Sequence, residues 1–400
     1  MDNFVIHNAI IVTPEEVIRG GSVIINNGII TNLSTSSFPS ADHSDVKSFD
    51  ARGNYLIPGI IDIHTDAMDV EINPRSGADF PVQVAFSELE RRMCGAGITT
   101  VYHSLHLGYR DAEYMLKSKY KRKQIFEEVH QASQQSTMIH NKIHLRYEIS
   151  GTDDYSLCFE LIEKGCVDLF SFMDHTPGQG QYPMDKYIVM AQKRGLNKEQ
   201  AIAELERKIA RSKITKDQID ELTRFLLSRN IAIASHDDDS IEKVEANHAH
   251  GINICEFPIT METARRATEL HMSVVGGASN VLRGGSTGGN LNVREAIENG
   301  CMNTLCSDYY PPAILYSIFM LYQQGVLSLP QAVNLATINA AKAVNIDNTT
   351  GSIEIGKAAD ILLINYTNGL PTVLKTIVSG NISSGYSIKQ QQVFEYSNQI

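Results

Sequence analysis

The sequence predicts a (β/α)8 TIM barrel accompanied by a small β-sandwich that both chain ends build together. Three observations predict it. Eight apolar, strand-like runs alternate with amphipathic helical segments from Leu56 onward. Both ends of the chain carry β-like text without such helices. Imidazole and carboxylate residues recur where the strand-like runs end, which in this barrel is where active-site groups project. The 400 residues exceed one ordinary core, yet they suit a barrel of about 250 residues with insertions and a small second unit.

The first 57 residues read as short strands, NFVIHNAIIV and GSVIINNGIITNL, with turn signals at Gly20-Gly21 and Asn26-Asn27-Gly28. A polar, serine-rich stretch follows from Ser34 to Ser48. LIPGIIDIH is then nearly continuously apolar, as a strand buried on both faces must be. PVQVAFSELERRMCGAG starts at Pro81 and stops in glycines, a helix with both of its boundary signals. Seven further strands read as GITTVYHS, KIHLRYEIS, VDLFSFMDH, IAIASHDD, GINICEFP, MSVVGGAS and MNTLCSD. Between them lie helical segments such as DQIDELTRFLLSRN, METARRATELH and NVREAIENG. The charged, helix-prone stretch from Gly178 to Ser212 reads as an insertion after the fourth strand. GSIEIGKAADILLINY and PTVLKTIVSGNIS return to β-like text near the end. The expected boundaries are therefore 1–57 with 351–400 for the sandwich and 58–350 for the barrel.

Composition narrows the class. An apolar content of 42% and a charged content of 20% are those of a globular protein. No stretch approaches the roughly 18 apolar residues of a membrane helix, and the start MDNFVIHN lacks a signal-peptide pattern, so the expected location is the cytoplasm. Six scattered cysteines without a CxxC pair read as buried free thiols. A net charge of -11 argues against nucleic acid as a partner, while a local arginine cluster can still take a small phosphorylated substrate. A homo-oligomer stays open.

The candidate chemistry follows the strand ends. His64 and Asp66, two apart, can face one ion. Glu148 ends the third strand, His175 follows the fourth, His236 ends the fifth and Asp308 follows the eighth. Burying so many ligand-type groups together is costly without a metal, and the mixture suits a divalent ion, zinc foremost, with manganese, iron or nickel as alternatives. One or two ions fit the count, with Glu148 as the expected bridge. The acidic run Asp237–Asp239 is expected to support the ligands and cap the next helix. His103 and His106 are candidates for substrate contact or for supporting the ligands. After the seventh strand, the stretch from Asn280 to Asn290 is rich in glycine. Its Gly284 and Gly285 could present amides to an anion, with Arg283 adding a fork of donors. Arg75 and Arg146, near the ends of strands one and three, could join that anion site.

LIPGIIDIHTD and GSIEIGKAADILLIN together resemble the amidohydrolase superfamily. INPRSGADFP, AGITTVYHSLHLG, FMDHTPGQGQY, EFPITMETAR, GASNVLRGGSTGGN and SDYYPPAIL resemble one branch of it, the ribose 1-methylphosphonate 5-triphosphate diphosphatases of phosphonate degradation. The likeness runs from about Leu56 to about Ile364. It implies a metal-dependent barrel whose ligands fall on His64, Asp66, Glu148, His175, His236 and Asp308, and hydrolysis of a triphosphate ester with release of pyrophosphate. The chain departs from the branch at Ala67, where Asn is usual, and at Thr287, where His is usual. On this reading Asp308 is both ligand and proton acceptor for the attacking water. The alternatives are deacetylation or deamination of a small polar or phosphorylated substrate, or a metal-bearing scaffold without catalysis.

Overall fold

The computed structural model describes residues 3–35, 47–75, 77–108, 121–180, 183–286 and 288–386. Five strands come first: β1 (Phe4–Val12), β2 (Val17–Asn26), β3 (Ile29–Ser34), β4 (Lys47–Asp50) and β5 (Tyr55–Pro58). Eight follow: β6 (Ile60–Thr65), β7 (Ile98–Leu107), β8 (His140–Glu148), β9 (Leu169–Met173), β10 (Ala232–His236), β11 (Ile254–Glu256), β12 (Ser273–Gly277) and β13 (Thr304–Cys306). Three end the described chain: β14 (Ile361–Thr367), β15 (Leu370–Val378) and β16 (Asn381–Gly385).

The terminal strands form one sheet in the order β16-β15-β14-β5-β1-β2-β3, with β4 beside β1. The two ends of the chain meet where β14 runs antiparallel to β5, Ile361 opposite Pro58 and Ile364 opposite Tyr55. Ile6, Ile11, Val23, Ile25, Leu56, Ile361 and Leu363 gather into a core of their own. The strands β6 to β13 pair with their sequence neighbours, all parallel, in a second sheet. That sheet closes on itself through Asp308, whose N–H donates to the His64 carbonyl at 3.0 Å and whose carbonyl accepts from the Asp66 N–H at 2.7 Å.

LIPGIIDIH differs from its expectation as a single strand. The run is continuous in apolarity because both of its halves are buried, but it breaks at Gly59 and the chain steps from one sheet to the other. A Cβ there would lie 2.0 Å from the Thr99 hydroxyl, so only glycine fits the step.

Alternation sorts the barrel strands into two faces. Ile61, Ile63, Tyr102, Leu169, Ala232, Ala234, Ile254, Val275 and Cys306 pack together inside, over Ala340 and Ala341 of the helix Ile338–Ala343. Val101, Ile143, Leu145, Phe170, Ile233, Cys255, Val274 and Leu305 belong to the outer layer packed against helices. Toward the C-terminal strand ends the inward positions become polar: Ser104 and His106, His144, Arg146 and Glu148, Ser171, His236, Glu256. The apolar plug fixes the strands, and the same register carries the polar groups into one mouth.

The insertion after β9 is two helices, Met184–Lys193 and Lys198–Ile209, packed around Tyr187, Ala191, Ala201 and Leu205. All six cysteines are buried free thiols. Among the described residues no helix is long and apolar enough to cross a membrane.

Asp360 ties the terminal sheet to the barrel. Its Oδ1 accepts the Ser379 N–H at 2.8 Å and lies 3.3 Å from His140 Nε2 at the start of β8, and its Oδ2 accepts the Thr350 hydroxyl at 2.8 Å. Burial pushes the Asp360 carboxyl up, but His140 and the other donors outweigh it and hold it below the ordinary value. The same hydrogen bond raises His140. A lowered carboxyl stabilises the fold above its unfolded pKa and loses that effect as pH falls through its folded value. A raised imidazole stabilises below its unfolded pKa and loses the effect as pH rises through its folded value. The pair is therefore strongest from about pH 4 to about pH 6.5. Asp360→Asn should cost about 2 kcal/mol of unfolding free energy in that window and less above about pH 8, measured by urea denaturation. A loss independent of pH would rule out the contribution of His140.

Candidate active site

β6 shifts register against β7 between Asp62 and Thr65. Such a bulge re-aims a side chain. It brings His64 into the barrel mouth directly after Ile63, which packs in the interior. Asp237, Phe257 and Asp308, each just past a strand end, take left-handed backbone angles of φ 54°, 53° and 63°. Non-glycine residues are rarely held there, and such strain concentrates at functional sites.

Four groups of potential ligands result, each with donor atoms within 4.8 Å of one another: His64 with Asp66 and Asp308, His64 with His236 and Glu256, His175 with His236 and Asp237, and His106 with Glu148 and His175. They share members and so form one continuous arc. His64 Nδ1 lies 3.1 Å from Glu256 Oε1, leaving Nε2 toward Asp66 Oδ1 at 3.9 Å. His175 Nδ1 lies 2.8 Å from Glu148 Oε2, and the same carboxylate accepts the His175 backbone N–H at 3.2 Å. His236 Nδ1 faces Asp237 Oδ2 at 3.3 Å, yet neither atom is hydrogen-bonded, and Glu256 Oε2 is buried without a hydrogen bond as well.

Electrostatics at this mouth are unbalanced. Burial, with Asp66 as neighbour, pushes Asp308 up to about 7. Burial raises Glu256. Burial and then the Arg146 charge push His64 down to about 3, so its ring is neutral, and burial lowers His236. Burial also works to raise Asp237, but His236 outweighs it and holds the carboxyl below the ordinary value. Asp66, Glu148, Asp237, Glu256 and Asp308 gather five carboxylates around the guanidinium of Arg146, with Arg283 farther along the same cleft. Neutral imidazoles, carboxylates, unsatisfied buried acceptors and surplus negative charge are the donor set that a divalent cation requires, and these residues could hold one.

A cleft runs from His64, Asp66, His236, Asp237 and Asp308 to Asn280, Arg283, Ser286, Asn290 and Tyr309. Arg283 Nη1 donates to the Tyr309 hydroxyl at 3.4 Å.

The structure corrects several expectations. His103 lies on the outward face of β7, fully buried, 2.8 Å from Asn141 Oδ1 and against Phe86, and so is a packing residue. Parity explains it, because Tyr102, Ser104 and His106 take the inward positions. Arg75 is exposed and is not among the described residues that line the cleft. The N–H groups of Gly284 and Gly285 donate back to Val281 and Asn280 carbonyls at 3.2 and 3.0 Å, ending the helix Ala278–Arg283, with Gly284 at φ 76°. They make a helix cap rather than an anion cradle. The Asn280 amide donates to the Leu291 carbonyl and accepts from the Val293 N–H, so it pins the loop. Arg146 lies inside the ligand cluster, against Asp66 and His236, rather than on the Arg283 loop. Glu148 falls with His175 and His106, in a group without His64, Asp66 or Asp308. Ser240, not the acidic run, caps the helix Ile241–Ala249, while Asp237 joins the cleft. Thr287 lies outside the described residues. Glu256 was missed; its signal was an acid at the end of the apolar run GINIC.

Comparison with known proteins agrees with this geometry. Residues 199–383 match the amidohydrolase family. The chain is 33% identical to alpha-D-ribose 1-methylphosphonate 5-triphosphate diphosphatase of Escherichia coli (strain K12) over 365 residues, 90% of this chain and 94% of that protein. A solved amidohydrolase superposes with a TM-score of 0.65 at 17% identity, covering 97% of this chain and 100% of that one. L-Hydantoinase (dihydropyrimidinase) from Arthrobacter aurescens does so with a TM-score of 0.61 at 14% identity, covering 96% of each. These two share the fold. With a near full-length relative, a family match through β10–β16 and ligand-type residues on the barrel's C-terminal rim, the chain belongs to the amidohydrolase family and is a hydrolase.

Proposed function

We propose that this protein hydrolyses alpha-D-ribose 1-methylphosphonate 5-triphosphate to the 5-phosphate and pyrophosphate, using one or more divalent cations, zinc foremost. The observation that carries the reading is the cleft: one continuous space is lined both by the imidazole–carboxylate arc and by Arg283. The near full-length similarity to the Escherichia coli diphosphatase supplies the substrate. The proposed ligands are His64, Asp66, His175, His236 and Asp308, with Glu148 beside His175. Bound there, a divalent cation supplies Lewis acidity toward phosphoryl oxygens and lowers the pKa of water.

The chain's own residues do the rest. Glu256 fixes the ring of His64 through Nδ1, and Glu148 fixes His175 in the same way, so each imidazole presents its Nε2 to the mouth. Asp308 takes the proton of the attacking water, and its crowding by Asp66 favours accepting one. The new bond joins the water oxygen to the α-phosphorus, and the bond from that phosphorus to the bridging oxygen breaks. Arg283, oriented by Tyr309, donates to the departing pyrophosphate and offsets its charge.

Phosphorus NMR of the purified protein with the triphosphate should show pyrophosphate appearing with the 5-phosphate. Release of acetate or ammonia from amide substrates, without triphosphate hydrolysis, would instead favour a deacetylase or deaminase. Asp308→Asn should lower kcat by at least about a thousandfold while circular dichroism stays unchanged. A near-normal kcat would remove Asp308 as the base. Arg283→Ala should raise KM for the triphosphate by about tenfold or more and leave metal content alone. An unchanged KM would sever the loop from phosphate binding.

A further inference from the structure

The ligand arc offers more donor groups than one cation needs. One end is His64, Asp66 and Asp308, the other is His106, Glu148 and His175, and the two middle groups link them. A guanidinium stands between the ends. Arg146 Nη1 donates to Asp66 Oδ1 at 2.6 Å, and Nη2 lies 3.2 Å from His236 Nε2. Asp66 and His236 belong to different groups of the arc, so the fork spans from one side to the other.

We infer that Arg146 is a built-in cation that fills one of the two cation positions, so that the protein loads a single divalent ion per chain. The inference rests on the metal-dependent reading above.

Four features support it. The fork takes Oδ1 of Asp66 and Nε2 of His236, so that each keeps one donor atom, Oδ2 and Nδ1, for the single ion. An arginine stays charged at any relevant pH, so it cannot yield to a second ion by losing a proton. It cannot swing into water at little cost either, because its side chain rises from the inward face of β8 and is buried. Finally, a dication beside a fixed guanidinium meets like-charge repulsion in a poorly solvated mouth. In return the guanidinium neutralises part of the surplus charge of Asp66, Glu256, Asp308 and Asp237, all of which act to raise its own pKa. It is a positioning residue for the ligand set.

The test is metal stoichiometry. Wild type and Arg146→Met are each loaded with excess manganese, freed of unbound ion by gel filtration and assayed by elemental analysis. One equivalent in the wild type and two in the variant is the expected result, a twofold rise. Two equivalents in the wild type, or one in both, overturns the inference while leaving the metal-dependent reading intact. No bound metal in either removes that reading and the inference with it. Should the variant fail to fold, wild type titrated with manganese decides alone. An isolated six-line resonance saturating at one equivalent supports the inference, and an exchange-coupled dinuclear spectrum overturns it.

Discussion

The barrel depends on two backbone hydrogen bonds around Asp308. They join the end of β13 to the end of β6, and so convert eight sequential parallel strands into a closed barrel. The same residue contributes a carboxylate to the ligand arc, so closing the fold and forming the site are one event. Asp308 meets both demands only with a left-handed backbone, which places its N–H and carbonyl toward β6 while the side chain turns into the mouth. Asp62 reinforces the seam from the adjacent position, its Oδ1 accepting the Ser307 N–H at 2.9 Å. A change that loosens this junction therefore disturbs stability and chemistry together, and the two cannot be tuned independently there.

The second constraint is charge. An apolar plug of Ile61, Ile63, Leu169, Ala232, Ile254 and Val275 supports a rim of acids from below, so the carboxylates are held away from bulk water on one side. Burial raises both Asp308 and Glu256, and Asp66 adds to the rise at each. Arg146 supplies one positive charge from within the chain. The remaining imbalance is what makes the mouth a place for a metal rather than an ordinary buried salt-bridge network, in which charges would pair off.

Most of the fold was legible because parallel barrel strands, buried on both faces, leave long apolar runs separated by helical periodicity. All eight barrel strands overlap runs read from the sequence; β9 to β13 fall inside theirs, while β6, β7 and β8 extend one to three residues beyond. The step at Gly59 was not legible, since a strand of the terminal sheet and a strand of the barrel are equally apolar and abut without a polar break. At the site, residues that end a strand were found because position alone nominates them: His64, His236, Glu148, Asp308. Facing was harder. His103 and His106 look alike in sequence, and only the parity set by Tyr102 in the interior separates the packing residue from the one beside Glu148. Glycines misled for a related reason. Gly284 and Gly285 serve the end of a short helix, and a helix cap and an anion cradle call for the same residue type.

These constraints divide the labour of the site. The arc is carried by β6, β7, β8, β10 and β11, whose register is fixed by packing on both faces, and by Asp66, His175, Asp237 and Asp308 within two residues of the ends of β6, β9, β10 and β13. Arg283 sits at the end of a six-residue helix, on a loop held by the side chain of Asn280 and by the bond from Arg283 to Tyr309. Groups on the strands and directly past their ends suit polarising and deprotonating, where small displacements are costly. Loop-borne groups suit the part that differs between substrates. Substitutions along the Asn280–Asn290 loop should therefore redirect substrate choice without dismantling the ligand arc, whereas a change such as the one at Arg146 acts on the arc and leaves substrate choice to the loop.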